Sequence, residues 1–172
     1  MRKEKLLNEK KDHNDHVRQV LGETPKERLP IIKKWSSFDV PEGFDPDEIS
    51  WVTDRLGITD LTGAFDAANQ GCYVINTAGE IVSPSNLKIV VDPRRGAKEV
   101  RQSLDAISDA ISEQLSSSER KVVVHCFMGM ERSVLTVVWY LHTRLGLTID
   151  EAYEQVGRVR PIAIDHRGWA LG

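Results

Sequence analysis

Cysteine is scarce in this chain of 172 residues, which contains only Cys72 and Cys126. Two cysteines cannot form the several bridges of a disulfide scaffold, so that class of small secreted protein is excluded. A chain of this length buries roughly two thirds of its unfolded surface, so it needs neither disulfides nor a structural metal for stability. We expect one compact folded domain with thiols that remain available for chemistry.

Long apolar runs are also missing from the sequence. Only Leu6 and Leu7 interrupt the charged amino-terminal residues, which is too little for the apolar core of a secretion signal. No segment approaches the ~20 apolar residues that cross a bilayer. We therefore expect no membrane span, and we predict a cytoplasmic protein whose thiols stay reduced.

Neither sign of charge is in large excess. The chain has 23 Lys+Arg against 26 Asp+Glu, a formal net charge of -3. This balance argues against stable nucleic-acid binding and against a protein that binds membrane surfaces by charge. A local site for an anion remains compatible with it.

Residues 1–50 differ in character from the rest of the chain. A thin apolar stripe from Leu6 to Leu21 predicts a surface helix, and Thr24-Pro25 is typical of the start of a second one. Residues 36–50, rich in acids, are predicted to be a solvated loop. We therefore predict a helical extension or cap over residues 1–50 and one domain over residues 51–172.

From Trp51 onward, short apolar runs alternate with amphipathic stretches, which is typical of an α/β domain. The predicted strands are residues 51–53, 72–76, 87–91 and 121–125. The predicted helices are residues 61–69, residues 100–115, a buried helix between Arg132 and Gly146, and a last helix with a capping box of Thr148 and Glu151.

The most informative segment follows the last predicted strand and leads into the buried helix. A loop that enters a helix amino terminus directs several backbone N–H groups inward, and the helix dipole adds positive charge there. The amides are those of Phe127, Met128, Gly129, Met130 and Glu131. The Arg132 side chain can grip two oxygens of a phosphate. At the mouth of such a nest, the Cys126 thiol is expected to be a nucleophilic thiolate.

The pattern His125-Cys126, five residues, then Arg132-Ser133 resembles the signature loop of the protein tyrosine phosphatase superfamily. The resemblance runs from about Trp51 to Trp169, and in length and order the chain is similar to the small dual-specificity phosphatases. It implies a central, mostly parallel sheet of about four to five strands with helices on both faces. It also implies hydrolysis of phosphate monoesters, with phosphotyrosine and phosphoserine or phosphothreonine in proteins as substrates.

Residue by residue, the resemblance implies that Cys126 forms a phosphocysteine and that Arg132 binds the phosphoryl oxygens. Ser133 would stabilise the departing thiolate. Asp92, at the end of a strand, would protonate the leaving oxygen and then activate water. His125 would order the loop by hydrogen bonding. No metal and no other cofactor is implied.

Several residues have a plain structural alternative. Cys126 could be a core cysteine and Asp92 a turn residue before Pro93. Arg94 and Arg95 would lie near the pocket if Asp92 does, where they would favour a second phosphate or an acidic substrate, or they are simply solvated. Two further arginines, Arg158 and Arg160, could contact substrate or form structural pairs.

Glu131 is unusual, because an acid beside the phosphate-binding arginine opposes the charge of the anion. Some phosphoinositide phosphatases are similar in this respect, so a lipid phosphate or an RNA 5′-phosphate stays an alternative substrate. A catalytically dead module that binds phosphorylated partners is a third alternative. We expect Cys72 to be a core thiol, because its position at the start of a strand is too far from the pocket for a disulfide with Cys126.

Overall fold

The computed structural model describes residues 40–172, and both predicted amino-terminal helices lie outside that part of the chain. Five strands form one sheet in the order β1-β2-β5-β3-β4. The strands are β1 (Ser50–Trp51), β2 (Leu56–Thr59), β3 (Tyr73–Asn76), β4 (Leu87–Lys88) and β5 (Val122–His125). Only β1 runs antiparallel to its neighbour within this sheet, which confirms the expected mostly parallel architecture.

The helices cover both faces of the sheet, as expected. They are α1 (Leu61–Asn69), α2 (Ala97–Ser117), α3 (Arg132–Leu145), α4 (Ile149–Val159) and α5 (Gly168–Leu171). Side chains alternate between faces along a strand, so Val123 of β5 packs against α1, whereas Val122 and Val124 join the larger core under α2, α3 and α4. A parallel sheet requires such a layer of helices on each face, because both of its faces are apolar.

Strand β2 was not predicted, and the predicted strand at residues 51–53 is wrong in its bounds. Gly57 interrupts the apolar pattern of β2, yet the glycine is required: a Cβ there would lie 2.6 Å from a methyl carbon of Ile49 and 2.9 Å from the Trp51 ring. The chain turns after Trp51, where the N–H groups of Val52 and Thr53 both donate to the carbonyl oxygen of Leu56.

The strand predicted at residues 87–91 is paired regularly only as far as Lys88. Beyond it, the N–H groups of Ile89 and Val91 still donate to the carbonyl oxygens of Asn76 and Thr77. These bonds carry the chain along the sheet edge to Asp92. Helix α5, with four residues, is too short to show a helical period and was not predicted.

The end of α3 and the start of α4 lie where the sequence indicates. Gly146 caps α3 in the left-handed conformation with φ 75°, and nine consecutive α3 residues from Ser133 to Leu141 are buried. Thr148 and Glu151 form the predicted capping box of α4. No helix within residues 40–172 is long and apolar enough to cross a membrane.

The register of the three central strands fixes where the site forms. His125 of β5 pairs with Thr59 of β2 on one side and with Asn76 of β3 on the other. These three parallel strands therefore end at the same level, and the loops that follow them meet at one edge of the sheet. Ligands of α/β proteins bind at such carboxyl edges.

Candidate active site

A pocket of about 170 Å³ lies at this carboxyl edge, beyond the end of β5. Its wall consists of Glu80, Cys126, Phe127, Met128, Met130, Glu131 and Arg132. Six of these seven residues belong to the predicted loop and helix start. Gly129, which belongs to the same loop, has φ 67°, and a Cβ there would lie 2.7 Å from the carbonyl oxygen of Thr59. Only glycine combines this conformation with this close approach.

Cys126 is almost completely buried at the base of the pocket, with 2% of its surface exposed. Its Sγ lies 3.2 Å from Oγ of Ser133. Burial alone would raise the pKa of the Cys126 thiol. Hydrogen bonds from the Ser133 side chain and N–H, the positive charge of Arg132 and the N–H of Gly129 outweigh burial, so the pKa is lowered. The surroundings therefore favour the thiolate.

Arg132 begins α3 and grips the carboxylate of Glu80 with both terminal nitrogens. Nη1 donates to Oε2 at 2.8 Å and Nη2 donates to Oε1 at 2.6 Å. The hydrogen bond from Arg132 lowers the pKa of Glu80, so this carboxyl is ionised. Nε of Arg132 takes no part in the pair with Glu80. A ligand can therefore bind at the Nε edge of the guanidinium.

His125 is fully buried beneath the loop and holds two neighbouring segments together. Nδ1 is 3.0 Å from the carbonyl oxygen of Cys126, and Nε2 is 2.8 Å from Oγ of Ser83. Burial lowers the pKa of His125 to about 4, so the ring is neutral at physiological pH. Since a carbonyl only accepts, Nδ1 carries the proton and Nε2 accepts from the Ser83 hydroxyl.

Arg160 supports the loop from behind, which identifies it as a structural arginine among the alternatives left open by the sequence. Its side chain is fully buried and does not line the pocket. Nε donates to the carbonyl oxygen of Gly129 at 2.6 Å, and Nη2 donates to those of Met128 and Pro46 at 3.3 and 3.0 Å. Arg158 instead forms an exposed pair with Glu154 at 2.7 Å.

Asp92 is not brought into the pocket wall. Its Oδ1 and Oδ2 each accept a 2.9 Å hydrogen bond from the Arg94 guanidinium, and Oδ1 also accepts from the Arg94 N–H at the start of the 3-10 turn Pro93–Arg95. Arg95 lies 3.8 Å away. The hydrogen bonds from Arg94 lower the pKa of Asp92 to about 2. In this arrangement the Asp92 carboxyl is ionised, and its hydrogen bonds go to Arg94 in the 3-10 turn that follows it.

Two further predictions concern Glu131 and Cys72. Glu131 lines the pocket but its Oε1 lies 3.4 Å from Nε2 of His166, on the segment before α5.

Cys72 is a free, buried thiol in the apolar cluster beneath α1, whereas Cys126 belongs to a different cluster, so the expected core thiol is confirmed.

Glu80 and Ser83 were missed by the sequence interpretation, because both lie in the irregular segment after β3. The register supplies the missing signal, since that segment begins at the same edge as the loop after β5. Lys88 fixes the segment by donating to the carbonyl oxygens of Gly79 and Ile81 at 3.1 and 2.9 Å. Among the described residues, no group of three or more His, Cys, Asp or Glu is arranged to hold a metal ion.

Comparison with known proteins identifies the family of this chain. The sequence model of the dual specificity phosphatase catalytic domain matches residues 59–169. The chain therefore belongs to the dual specificity phosphatase family, a cysteine-dependent class. A curated relative, dual specificity protein phosphatase 1 of Arabidopsis thaliana, is 44% identical over 48 residues. That segment is 28% of this chain and spans about a quarter, 24%, of the relative.

Solved structures share the fold at low sequence identity. Human DUSP28 is similar with a TM-score of 0.60 and 20% identity, over 76% of this chain and 89% of that chain. A human tyrosine phosphatase-like serine/threonine/tyrosine-interacting protein is similar with a TM-score of 0.60 and 17% identity, over 73% and 92% of the two chains. At these identities the likeness concerns the fold alone.

Proposed function

We propose that the protein hydrolyses phosphate monoesters through a phosphocysteine on Cys126. The observation that supports this most strongly is the thiol itself. A buried cysteine would normally stay protonated, yet the Ser133 hydroxyl, two backbone N–H groups and Arg132 converge on this sulfur and lower its pKa. The same donors suit a phosphoryl group bound above the sulfur. The phosphoryl oxygens would accept hydrogen bonds from the loop N–H groups and from the edge of the Arg132 guanidinium that does not contact Glu80.

In the first step, the Cys126 thiolate attacks phosphorus and the ester P–O bond breaks. The leaving oxygen takes the electron pair of that bond and a proton from Asp92. This role requires Asp92 to leave its pair with Arg94 and to gain a proton first, because the bound carboxylate is ionised. The Asp92 segment follows β4, the strand next to β3, and so starts at the same edge of the sheet as the loop after β5.

In the second step, water attacks the phosphocysteine and the S–P bond breaks. Asp92, now a carboxylate, takes a proton from the water, and inorganic phosphate leaves. The sulfur departs as a thiolate, which the 3.2 Å hydrogen bond from Ser133 stabilises. His125 stays neutral beneath the loop and takes no part in proton transfer. Neither step requires a metal or other cofactor.

The substrates we propose are phosphotyrosine and phosphoserine or phosphothreonine in proteins. Phe127 and Met128, both partly exposed, give the pocket apolar walls that suit the ring of a phosphotyrosine. The net charge of -3 does not favour an RNA 5′-phosphate or an anionic lipid surface. A thiolate nucleophile needs a reducing compartment, so we place the activity in the cytoplasm.

The experiment is a substrate panel without metal, under reducing conditions. An aryl phosphate, phosphopeptides and phosphoinositides are compared at equal enzyme concentration for the parent, Cys126→Ser and Arg132→Lys. We expect the parent to turn over the aryl phosphate and the phosphopeptides. Cys126→Ser should lose turnover and keep phosphopeptide binding, and Arg132→Lys should lose turnover because a point charge cannot replace the planar fork.

The alternatives give different results. Preferred turnover of phosphoinositides would make the protein a lipid phosphatase with the same loop. Phosphopeptide binding without turnover by the parent would make it a binding module, as the name of the human serine/threonine/tyrosine-interacting protein suggests for that fold neighbour. Activity of Cys126→Ser within tenfold of the parent would contradict the phosphocysteine.

A further inference from the structure

Two exposed arginines, Arg94 and Arg95, form ion pairs with Asp92, the residue proposed as the acid. Arg94 has 88% of its side chain exposed and Arg95 has 64%, whereas the Asp92 side chain between them is 14% exposed. Arg94 uses Nε and Nη2, the planar edge that binds a phosphate or carboxylate, on Asp92. The two arginines are thus far more accessible to a ligand than the carboxylate is.

The Asp92–Arg94 pair is incompatible with proton donation. Both carboxylate oxygens accept hydrogen bonds from Arg94, and a third bond comes from its backbone N–H. A carboxyl in that arrangement holds no proton to give. The first chemical step therefore needs an event that takes Arg94 away from Asp92.

An anion bound to Arg94 is the event that the charges favour. The Arg94 side chain is largely exposed, so a competing anion can reach its guanidinium and replace Asp92 there. Arg94 also interacts electrostatically with Glu80, which lines the pocket and holds Arg132. The Val91 N–H donates to the carbonyl oxygen of Thr77, so the turn that carries Arg94 starts beside the segment that carries Glu80.

We propose that Arg94 and Arg95 form a second anion site, which binds a phosphorylated or acidic side chain next to the scissile phosphate and thereby releases Asp92 to act as the acid. The inference rests on the proposed function and narrows its substrate class to phosphopeptides with an adjacent anionic residue. The arginines thus recognise the neighbouring anionic residue, and Arg94 also holds Asp92 in its ionised form until that residue binds.

The experiment compares three peptides that share one phosphotyrosine and differ in one neighbouring residue, which is alanine, glutamate or phosphoserine. The proteins are the parent, Arg94→Gln and Arg144→Gln. Arg144 is a matched control, because it also pairs with an acid, Asp109, but lies twelve residues along α3 from Arg132, about 18 Å away. Measurements are kcat and KM at one ionic strength, over a range of pH.

We expect the parent to favour the two anionic peptides by about tenfold or more in kcat/KM, with part of the gain in kcat. Arg94→Gln should reduce the preference to within about twofold. It should also raise kcat for the alanine peptide and move the basic limb of its pH profile to higher pH, because Asp92 is no longer held ionised. Arg144→Gln should keep the preference of the parent.

A second variant separates the effect of the bound anion on Asp92 from simple electrostatic attraction of the peptide. In Asp92→Asn, the preference in kcat should disappear while the preference in KM remains. An unchanged preference in Arg94→Gln, or a lower kcat of that variant for the alanine peptide, would overturn the inference and leave the phosphatase activity standing. Failure of the parent to hydrolyse any of the peptides would overturn both.

Discussion

Arg160 and Gly129 are joined by a 2.6 Å hydrogen bond from Nε of the arginine to the carbonyl oxygen of the glycine. The carbonyl of a phosphate-binding loop must point away from the anion, and Arg160 holds it there. The same side chain donates through Nη1 to Oγ of Ser50 at 3.0 Å, and so ties the loop to β1. Loop geometry therefore depends on a residue 31 positions away.

Arg160→Met tests this support. The substitution leaves the buried carbonyl oxygens of Gly129 and Met128 without their donor, so we expect the free energy of unfolding to fall by about 3 kcal/mol. Urea denaturation at neutral pH measures the loss. Arg158→Met is the control, since its exposed pair with Glu154 should cost no more than about 1 kcal/mol. Equal losses in both variants would contradict the structural role of Arg160.

Gly129→Ala and Gly146→Ala form a matched pair at positive φ. Both replacements strain the backbone by about 1–2 kcal/mol. A Cβ at Gly146 meets nothing within 4 Å, whereas one at Gly129 would overlap with Nη2 of Arg160 and crowd Thr59. We expect Gly146→Ala to lose some stability and keep full kcat. Gly129→Ala should also lose affinity for inorganic phosphate as a competitive inhibitor, and retained affinity would show that the loop tolerates the shift.

Ser133→Ala is expected to raise the pKa of Cys126. The hydroxyl donates to the thiolate, and one hydrogen bond to a charged group contributes roughly 1.5–3 kcal/mol, which corresponds to about 1–2 pH units. The rate of iodoacetamide alkylation against pH reports the fraction of thiolate. Its midpoint should move to higher pH by that amount, and Ser108→Ala, a change at a buried serine of α2, is the control. An unmoved midpoint would mean that Arg132 and the N–H groups suffice.

Asp92→Asn should lower kcat by about 10²–10⁴, the usual contribution of a positioned acid, and should flatten the basic limb of the pH profile. Glu131→Gln should cost far less, because the Glu131 side chain is directed to His166. The two variants are compared with a substrate whose leaving group has a high pKa, since it needs protonation most. A larger loss in Glu131→Gln would identify Glu131 as the acid.

Asp60→Asn is expected to stabilise the protein at pH 7.5. Burial, together with a hydrogen bond and the charge from Asp47, raises the pKa of Asp60 well above its ordinary value. A raised carboxyl pKa means that stability declines as pH rises from about 4 through the native pKa. Asparagine lacks that decline and still accepts the 2.8 Å bond from the Gly63 N–H at the start of α1. The gain should shrink towards pH 4, and a gain independent of pH would contradict this origin.

The predicted residues that the structure brings together around one pocket are contiguous in the chain, whereas the predicted Asp92 is not in the pocket wall. Cys126, Arg132 and Ser133 belong to one strand–loop–helix unit, whose geometry follows from local rules. Glu80 and Arg160 reach the loop through strand pairing and helix packing, which no local pattern encodes. For the fold, strong periodicity predicted α2, and a run that is apolar nearly all round predicted the buried helix α3. Strand β2 was missed because Gly57 interrupts its apolar pattern, and the need for this glycine is visible only beside Ile49 and Trp51.

The shared level of β2, β5 and β3 has a consequence for folding kinetics. Leu56 pairs with Val122 across 66 residues, and Tyr73 pairs with the same valine across 49. Closing such long loops costs chain entropy before any contact is gained, so these ladders form slowly. Helices such as α2 need only neighbouring residues and form within microseconds. During refolding, the chain therefore becomes helical well before it can bind phosphate.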